Sequence, residues 1–375
     1  MSWDHQRKFR AKIGIIIGWG RWGIGGCCVS EAAIHIEGVT KRFKEKVAVS
    51  GLDLTVPTGS LCGFLGPNGA GKTTTIRMIM SIFYPDEGKV SVLGKASALK
   101  SKDRIGYLPE ERGIYRKMRV GEFLTYTGNL KGVKGDWLSK RIDEWLDRLG
   151  LPDVRKKRCQ ELSKGMQQKV QFLATIIHDP ELIILDEPFS GLDPVNARLL
   201  RELIQEMHQQ GKTVIFSTHV LYSAEQLCDR IFMINKGKKI LDGTIDQIRS
   251  EFDPKTMVIE PMISADSNGE AGSLERLIES IDAVSSVTHM DDNHTLEAHL
   301  NDGADVQAVM QHIAQNAAVR RMEIRRATLE DVFVKLVDPD DSEDNLRSLL
   351  SGEAAGVVAG DVAGTVGGGE EVARA

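Results

Sequence analysis

The chain reads as an α/β protein built on a largely parallel sheet, with a smaller α+β unit following it. Three observations carry this reading. From residue 34 to about 250, short apolar runs alternate with amphipathic stretches, the rhythm of strand and crossover helix. The runs at 60–65, 182–185 and 213–216 each end at a polar or glycine-rich turn, as buried parallel strands do. Residues 255–337 then follow a different order: strand, helix, strand, strand, helix, strand.

Each element has its own signal. In the first unit, 120–149 has helical spacing in Phe123, Leu124, Trp137, Ile142, Trp145, Leu146 and Leu149, and reads as the centre of a helical insertion at about 115–160. Trp137 and Trp145 on that pattern read as packing residues. The basic run 155–158 reads as a solvated turn. In the second unit, strands are expected at 257–263, 284–289, 295–300 and 320–325, with helices at 273–281 and 306–314. That order matches a small ferredoxin-like domain. The expected boundaries are thus 32–250 for the large domain and 255–337 for the accessory one. Beyond Asp338 the chain turns acidic and then Gly/Ala/Val-rich, so 338–375 reads as a disordered tail.

The first thirty-one residues read differently from the rest. A basic start leads to the apolar run 13–17 and a Gly/Trp-rich stretch. The run is too short and too interrupted for a signal peptide. Gly18, Gly20 and Gly23 have G-x-G-x-x-G spacing, but Gly25 and Gly26 follow where that motif needs a helix. The expectation is that native translation begins near Val29 and that 1–31 is an upstream extension.

Composition limits the function. A net charge of −5 with a pI near 6.0 argues against a protein that coats nucleic acid. Cys27, Cys28, Cys62, Cys159 and Cys228 lack zinc-ligand spacing and read as reduced thiols. No apolar run approaches the roughly 20 residues needed to cross a bilayer. Membrane work therefore requires separate spanning partners.

The chemistry begins at GPNGAGKTT, residues 66–74, which fits G-x-x-x-x-G-K-[ST]. A glycine-rich turn lets backbone N–H groups approach polyphosphate, and the helix expected from Thr73 to about Phe83 adds its positive end. The loop residues Gly66, Pro67, Asn68, Gly69, Ala70, Gly71 and Thr74 line this cradle. Lys72 is positioned to reach the β- and γ-phosphates, and the Thr73 hydroxyl to ligate Mg²⁺. Downstream, an apolar strand delivers Asp186 and Glu187 at its C-terminal end, where ligands bind in open parallel sheets. Asp186 suits Mg²⁺, held through water, and Glu187 suits orienting or deprotonating the attacking water. These features indicate an NTPase without saying which kind. A GTPase is disfavoured, because Asn235-Lys-Gly-Lys238 lacks the Asp of the base-reading N-K-x-D motif.

The segment Leu162-Ser-Lys-Gly-Met-Gln-Gln168 resembles the LSGGQ signature of ABC ATPases, departing from it at Lys164 and Met166. Ser190-Gly-Leu-Asp193 resembles the family's D-loop. His219 follows the strand 214–218 at the switch-histidine position, and Phe43 matches the aromatic that stacks on adenine, although core packing is an alternative role for it. Glu110 stands where most members carry the Q-loop Gln; it keeps an oxygen for Mg²⁺ while adding negative charge. The string YLPEERGIY and the later run ATLEDVFV, 327–334, resemble the ABC-2 type exporter branch that includes sodium-efflux ATPases. The resemblance covers about 34–337. It implies a P-loop NTPase (ABC ATPase) domain with a helical insertion, plus the ferredoxin-like domain.

The resemblance further implies an enzyme that hydrolyses ATP with Mg²⁺ and works as a head-to-tail homodimer or heterodimer. Ser163 and Gly165 of one copy would cover the nucleotide held by the other, with Asp193 nearby. His219 would contact the γ-phosphate and help hold Glu187. An ABC-2 type permease would bring the chain to the cytoplasmic face of the membrane. Two other readings are a non-transport ABC ATPase and a regulatory subunit of a heteromeric complex. Against the first, the chain has one P-loop, one signature and no long heptad run. Against the second, Lys72, Asp186, Glu187 and His219 are intact.

Overall fold

The computed structural model describes residues 32–111, 113–253, 255–262, 270–290 and 295–337. The expectations for 1–31 and 338–375, including Cys27, Cys28 and the G-x-G-x-x-G spacing, lie outside these residues.

Two sheets form the large domain. The first is antiparallel, from β1 (Ala32–Phe43), β2 (Lys46–Pro57) and β4 (Glu87–Val92) in the order β2-β1-β4. Within it β2 alternates Leu52, Leu54 and Val56 inward with exposed Asp53 and Thr55 between. The second sheet contains β3 (Leu61–Leu65), β5 (Ile105–Leu108), β6 (Leu182–Asp186), β7 (Thr213–Thr218), β8 (Arg230–Asn235) and β9 (Lys238–Thr244). Its order is β5-β6-β7-β3-β8-β9, parallel except for the hairpin partner β9. Strands β3, β6 and β7 are buried throughout, which is why they appear as continuous apolar runs.

Helices cover these sheets. The P-loop helix α1 (Lys72–Ile79) is shorter than expected, ending before Phe83. The expected insertion is two helices, α2 (Val120–Leu130) and α3 (Gly135–Arg148), because Gly132 and Gly135 take positive φ and break the run. They pack on the signature helix α4 (Lys164–Ile176) in one core with Phe172, Leu173 and Trp145. Trp137 departs from the packing expectation: it is 52% exposed, under the Arg141 guanidinium at 5.0 Å. Eight residues along a helix turn the side chain roughly 80° away from Trp145, past the edge of the buried face. Arg155 also departs from the solvated reading, donating to the Ser139 hydroxyl at 2.8 Å and pairing with Asp143. Next come α5 (Pro194–Gln209), α6 (Leu221–Leu227) and α7 (Ile245–Glu251).

The accessory unit has the expected βαββαβ order: β10 (Thr256–Pro261), α8 (Glu270–Glu279), β11 (Val284–His289), β12 (Leu296–Leu300), α9 (Val306–Asn316) and β13 (Val319–Arg325). Its antiparallel sheet is ordered β11-β12-β10-β13 and buries Met257, Ile259 and Ala298 against Leu274, Ile278 and Ile313. The last helix, α10 (Leu329–Val337), does something the sequence reading did not anticipate. Its Leu329, Val332 and Phe333, with Ala327, join the core of the large domain, not that of the accessory sheet.

Candidate nucleotide site

The site begins at the end of β3, where the chain must turn sharply without side chains in the way. A Cβ at Gly66 would lie 2.2 Å from the Ile234 carbonyl oxygen, and one at Gly71 would lie 2.7 Å from that of Ala48. Only glycine fits either place. The loop they frame opens into a cleft of about 440 Å³ lined by Asn68, Gly69, Ala70, Gly71, Lys72, Thr73 and Thr74. Phe43, Glu110 and Glu187 complete it, together with Lys46 and Ala48, which the sequence reading had not selected. Phe43 is 42% exposed and meets Phe83 edge-on at 5.5 Å, so it borders the cleft and is not part of the core.

Lys72 is buried yet carries its ammonium into the loop. Nζ donates to the Gly66 and Pro67 carbonyls at 2.6 and 3.2 Å, and lies 3.8 Å from Glu187 Oε1. Burial pushes its pKa below the ordinary lysine value; Glu187, Asp186 and Glu110 pull it back up. Three carboxylates therefore share the field of this one buried cation.

Strand β6 delivers the two acids to different tasks. Asp186 is buried; Oδ1 accepts from the Ser217 hydroxyl at 2.5 Å and from Thr73 Oγ1 at 3.4 Å. Its Oδ2 is buried without a hydrogen-bond partner. An orphaned carboxylate oxygen beside the P-loop threonine fits a hard divalent cation such as Mg²⁺. Glu187 adopts φ 48°, a left-handed conformation costly for a side chain of this size. Its backbone N–H donates to the Ser217 hydroxyl and carbonyl at 3.1 and 3.2 Å, and Oε1 lies 2.9 Å from His219 Nδ1. Ser217 thus supports both acids. Its only sequence signal was its place at the end of β7, two residues before His219.

Not every selected residue reaches the cleft. Pro67 gives its carbonyl to Lys72, and His219 arrives through Glu187. Ser163, Gly165 and Asp193 are not among the lining residues. Ser163 caps α4, accepting from Met166 N–H, and Asp193 caps α5, accepting from Asn196 N–H at 2.9 Å. Two buried amides on α4 tie these regions together. Gln168 Nε2 donates to the Pro188 carbonyl at 3.2 Å, and Gln171 Nε2 to the Glu111 carbonyl at 3.3 Å. The same helix therefore grips the residues directly after Glu187 and Glu110.

Comparison with known proteins gives the family. A family profile described as ABC transporter matches residues 49–190. A 304-residue alignment at 37% identity covers 81% of this chain and 98% of an uncharacterized ABC transporter ATP-binding protein, YhaQ, of Bacillus subtilis (strain 168). The chain belongs to the ABC transporter ATP-binding proteins. Within that family it is also similar to the daunorubicin resistance ATP-binding protein DrrA3 of Streptomyces coeruleorubidus, with 31% identity, 83% of this chain and 98% of the relative. A second profile, the C-terminal domain of DrrA1-3-like ATP-binding proteins, matches 243–337. Among solved structures, one described as the ATP binding subunit of an ABC transporter aligns with TM-score 0.55 and 28% identity, covering 59% of this chain and 93% of that one. This ABC subunit is therefore an ATP-binding ATPase with the P-loop fold. Among the described residues no helix is long and apolar enough to cross a membrane.

Proposed function

We propose that this chain is the motor of an ABC-2 type exporter, and that two copies, or this copy and a paralogue, close head to tail over Mg²⁺-ATP. The observation that carries the reading is the separation of the signature from the cleft in one chain. Ser163 and Lys164 lie exposed at the start of α4, whose first turn has no acid. A Cβ at Gly165 would meet Asn196 and Leu192 only at ordinary contact, 3.6 and 3.7 Å. The chain's own packing therefore gives no reason for a glycine here. Close approach by a phosphate from outside supplies one, and the helix N-terminus suits that anion.

In this reading Phe43 stacks on the base, while the loop N–H groups and Lys72 hold the phosphates. Thr73, Asp186 and Glu110 would hold Mg²⁺, which neutralises phosphate charge when bound. Glu187 accepts a proton from the water attacking the γ-phosphorus as the bond to ADP breaks. His219 steadies that carboxylate and contacts the γ-phosphate. Asp193 contributes at the interface through the loop it caps. Export as the task, with a permease that holds the subunit at the cytoplasmic face, is supported by the relative named for daunorubicin resistance and the matching C-terminal profile.

The test is Glu187→Gln in the full chain. It removes the proton acceptor while keeping the shape, so ATP should stay bound and the mass measured by light scattering should double. A variant that binds ATP yet remains monomeric contradicts the sandwich.

A further inference from the structure

The helix that follows His219 cannot hold itself in place. Helix α6 has seven residues, and its N-cap, Val220, makes no side-chain cap. So short a helix is unstable alone, and its position is set by whatever packs on it. Three of its residues, Leu221, Ala224 and Leu227, are buried in the core of the large domain. The same core receives Leu329, Val332 and Phe333 from α10, and the two helices pack together. Val332 and Phe333 are 1% and 2% exposed although they come from the far end of the chain.

Helix α10 is in turn fixed to the accessory sheet. Arg325, the last residue of β13, donates to Glu297 of β12 at 2.7 Å and to Asp331 of α10 at 3.2 Å. Thr328 and Asp331 cap the start of α10 reciprocally, Thr328 Oγ1 donating at 2.8 Å and Asp331 N–H donating back at 3.1 Å. At the entry to the accessory unit, Arg249 of α7 pairs with Glu225 of α6 at 2.8 Å. Both the exit from the large domain and the return to it thus touch α6, which packs on β3 and β7 as well. From there two residues, Val220 and His219, lead to the 2.9 Å contact with Glu187.

We propose that α10 is a strap through which the accessory domain positions His219, with Phe333 and Val332 as positioning residues for ATP hydrolysis. Truncating Phe333 would leave a cavity in the core that α10 and α6 share, and α6 would relax into it. His219 would then lose its alignment on Glu187 while the P-loop, built on β3 and α1, keeps its grip on ATP. The inference rests on the role read for His219 and adds the reason that this subunit carries a C-terminal domain tied to its catalytic half.

A double-mutant cycle in the full chain tests it, using kcat, KM and the ATP dissociation constant for Phe333→Ala, His219→Ala and both together. Phe333→Ala should lower kcat roughly tenfold with ATP affinity unchanged. In the His219→Ala background it should cost less than about twofold more. Phe333→Leu should recover most of the activity. If Phe333→Ala is recovered unfolded, Val332→Ala is read through the same cycle. Equal losses in both backgrounds, or full kcat in Phe333→Ala beside an impaired His219→Ala, overturn the strap alone. Full activity in His219→Ala sinks the His219 role and the strap together.

Discussion

Glu187 Oε1 receives two neighbours at once, His219 Nδ1 at 2.9 Å and Lys72 Nζ at 3.8 Å. Lys72 cannot serve Glu187, its own loop carbonyls and a γ-phosphate equally. In the proposed function, nucleotide binding would draw the lysine towards the phosphates and leave the histidine as the carboxylate's support.

Lys72→Ala should lower the stability of the nucleotide-free protein, because it leaves the carboxylates of Glu187 and buried Asp186 without their cation and two loop carbonyls without their donor. What should disappear is protection by ATP. For the unaltered chain, ligand at about 100 times its dissociation constant stabilises by roughly 2.7 kcal/mol, read as a rise in Tm. An undiminished ATP-dependent rise in the variant would mean that the phosphates are held elsewhere.

Glu110→Gln should retain most of the ATPase activity, since the amide keeps an oxygen for the metal and removes one negative charge from the cleft. A loss beyond about tenfold in kcat would show that the charge itself is used.

Gly66→Ala should destabilise the nucleotide-free protein by about 1–3 kcal/mol and weaken ATP binding, because the added Cβ collides with the Ile234 carbonyl. Denaturant unfolding and nucleotide titration check both effects. Gly69→Ala separates backbone strain from collision, since φ there is 78° but a Cβ meets nothing within 4 Å.

Gln171→Met keeps volume while deleting the donor to the Glu111 carbonyl. Its buried Oε1 has no partner, so little hydrogen-bond energy is at stake beyond that one bond. The expected result is a stable protein with kcat lowered several-fold, the loss shrinking when Glu110 is also replaced.

His178 gives a pH prediction. Burial, and then the nearby Lys131, push its pKa down to about 4 from the ordinary 6.5. The unfolded chain binds the proton more readily between those values, so stability falls as pH drops from 6.5 towards 4. His178→Gln should flatten that part of a Tm-against-pH curve; an unchanged slope assigns the acid sensitivity to other groups.

Much of the molecule could be read in advance. The P-loop, the strand carrying Asp186 and Glu187, and the βαββαβ order are local patterns: glycine spacing, an apolar run ended by acids, and turn rhythm. A helical period alone does not fix which neighbours a side chain meets or where its helix stops. Trp137 lies on the same helix as Trp145 yet outside the buried face, and α1 ends before Phe83 where Ser81 takes a φ of 56° and the N–H groups of Ile82 and Phe83 turn back to the Arg77 carbonyl.

By itself the sequence determined the buried strands β3, β6 and β7, the phosphate loop and the two acids that end β6, because short-range sterics and hydropathy fix those. Tertiary structure alone decided that Ser217 supports both acids, that Gln168 and Gln171 grip the loops beyond them, and that α10 leaves its own domain for α6. Those contacts join segments from 20 residues apart (168 to 188) to more than 100 (227 to 329). Which apolar face meets which is a matter of shape complementarity in three dimensions, and no local pattern encodes it.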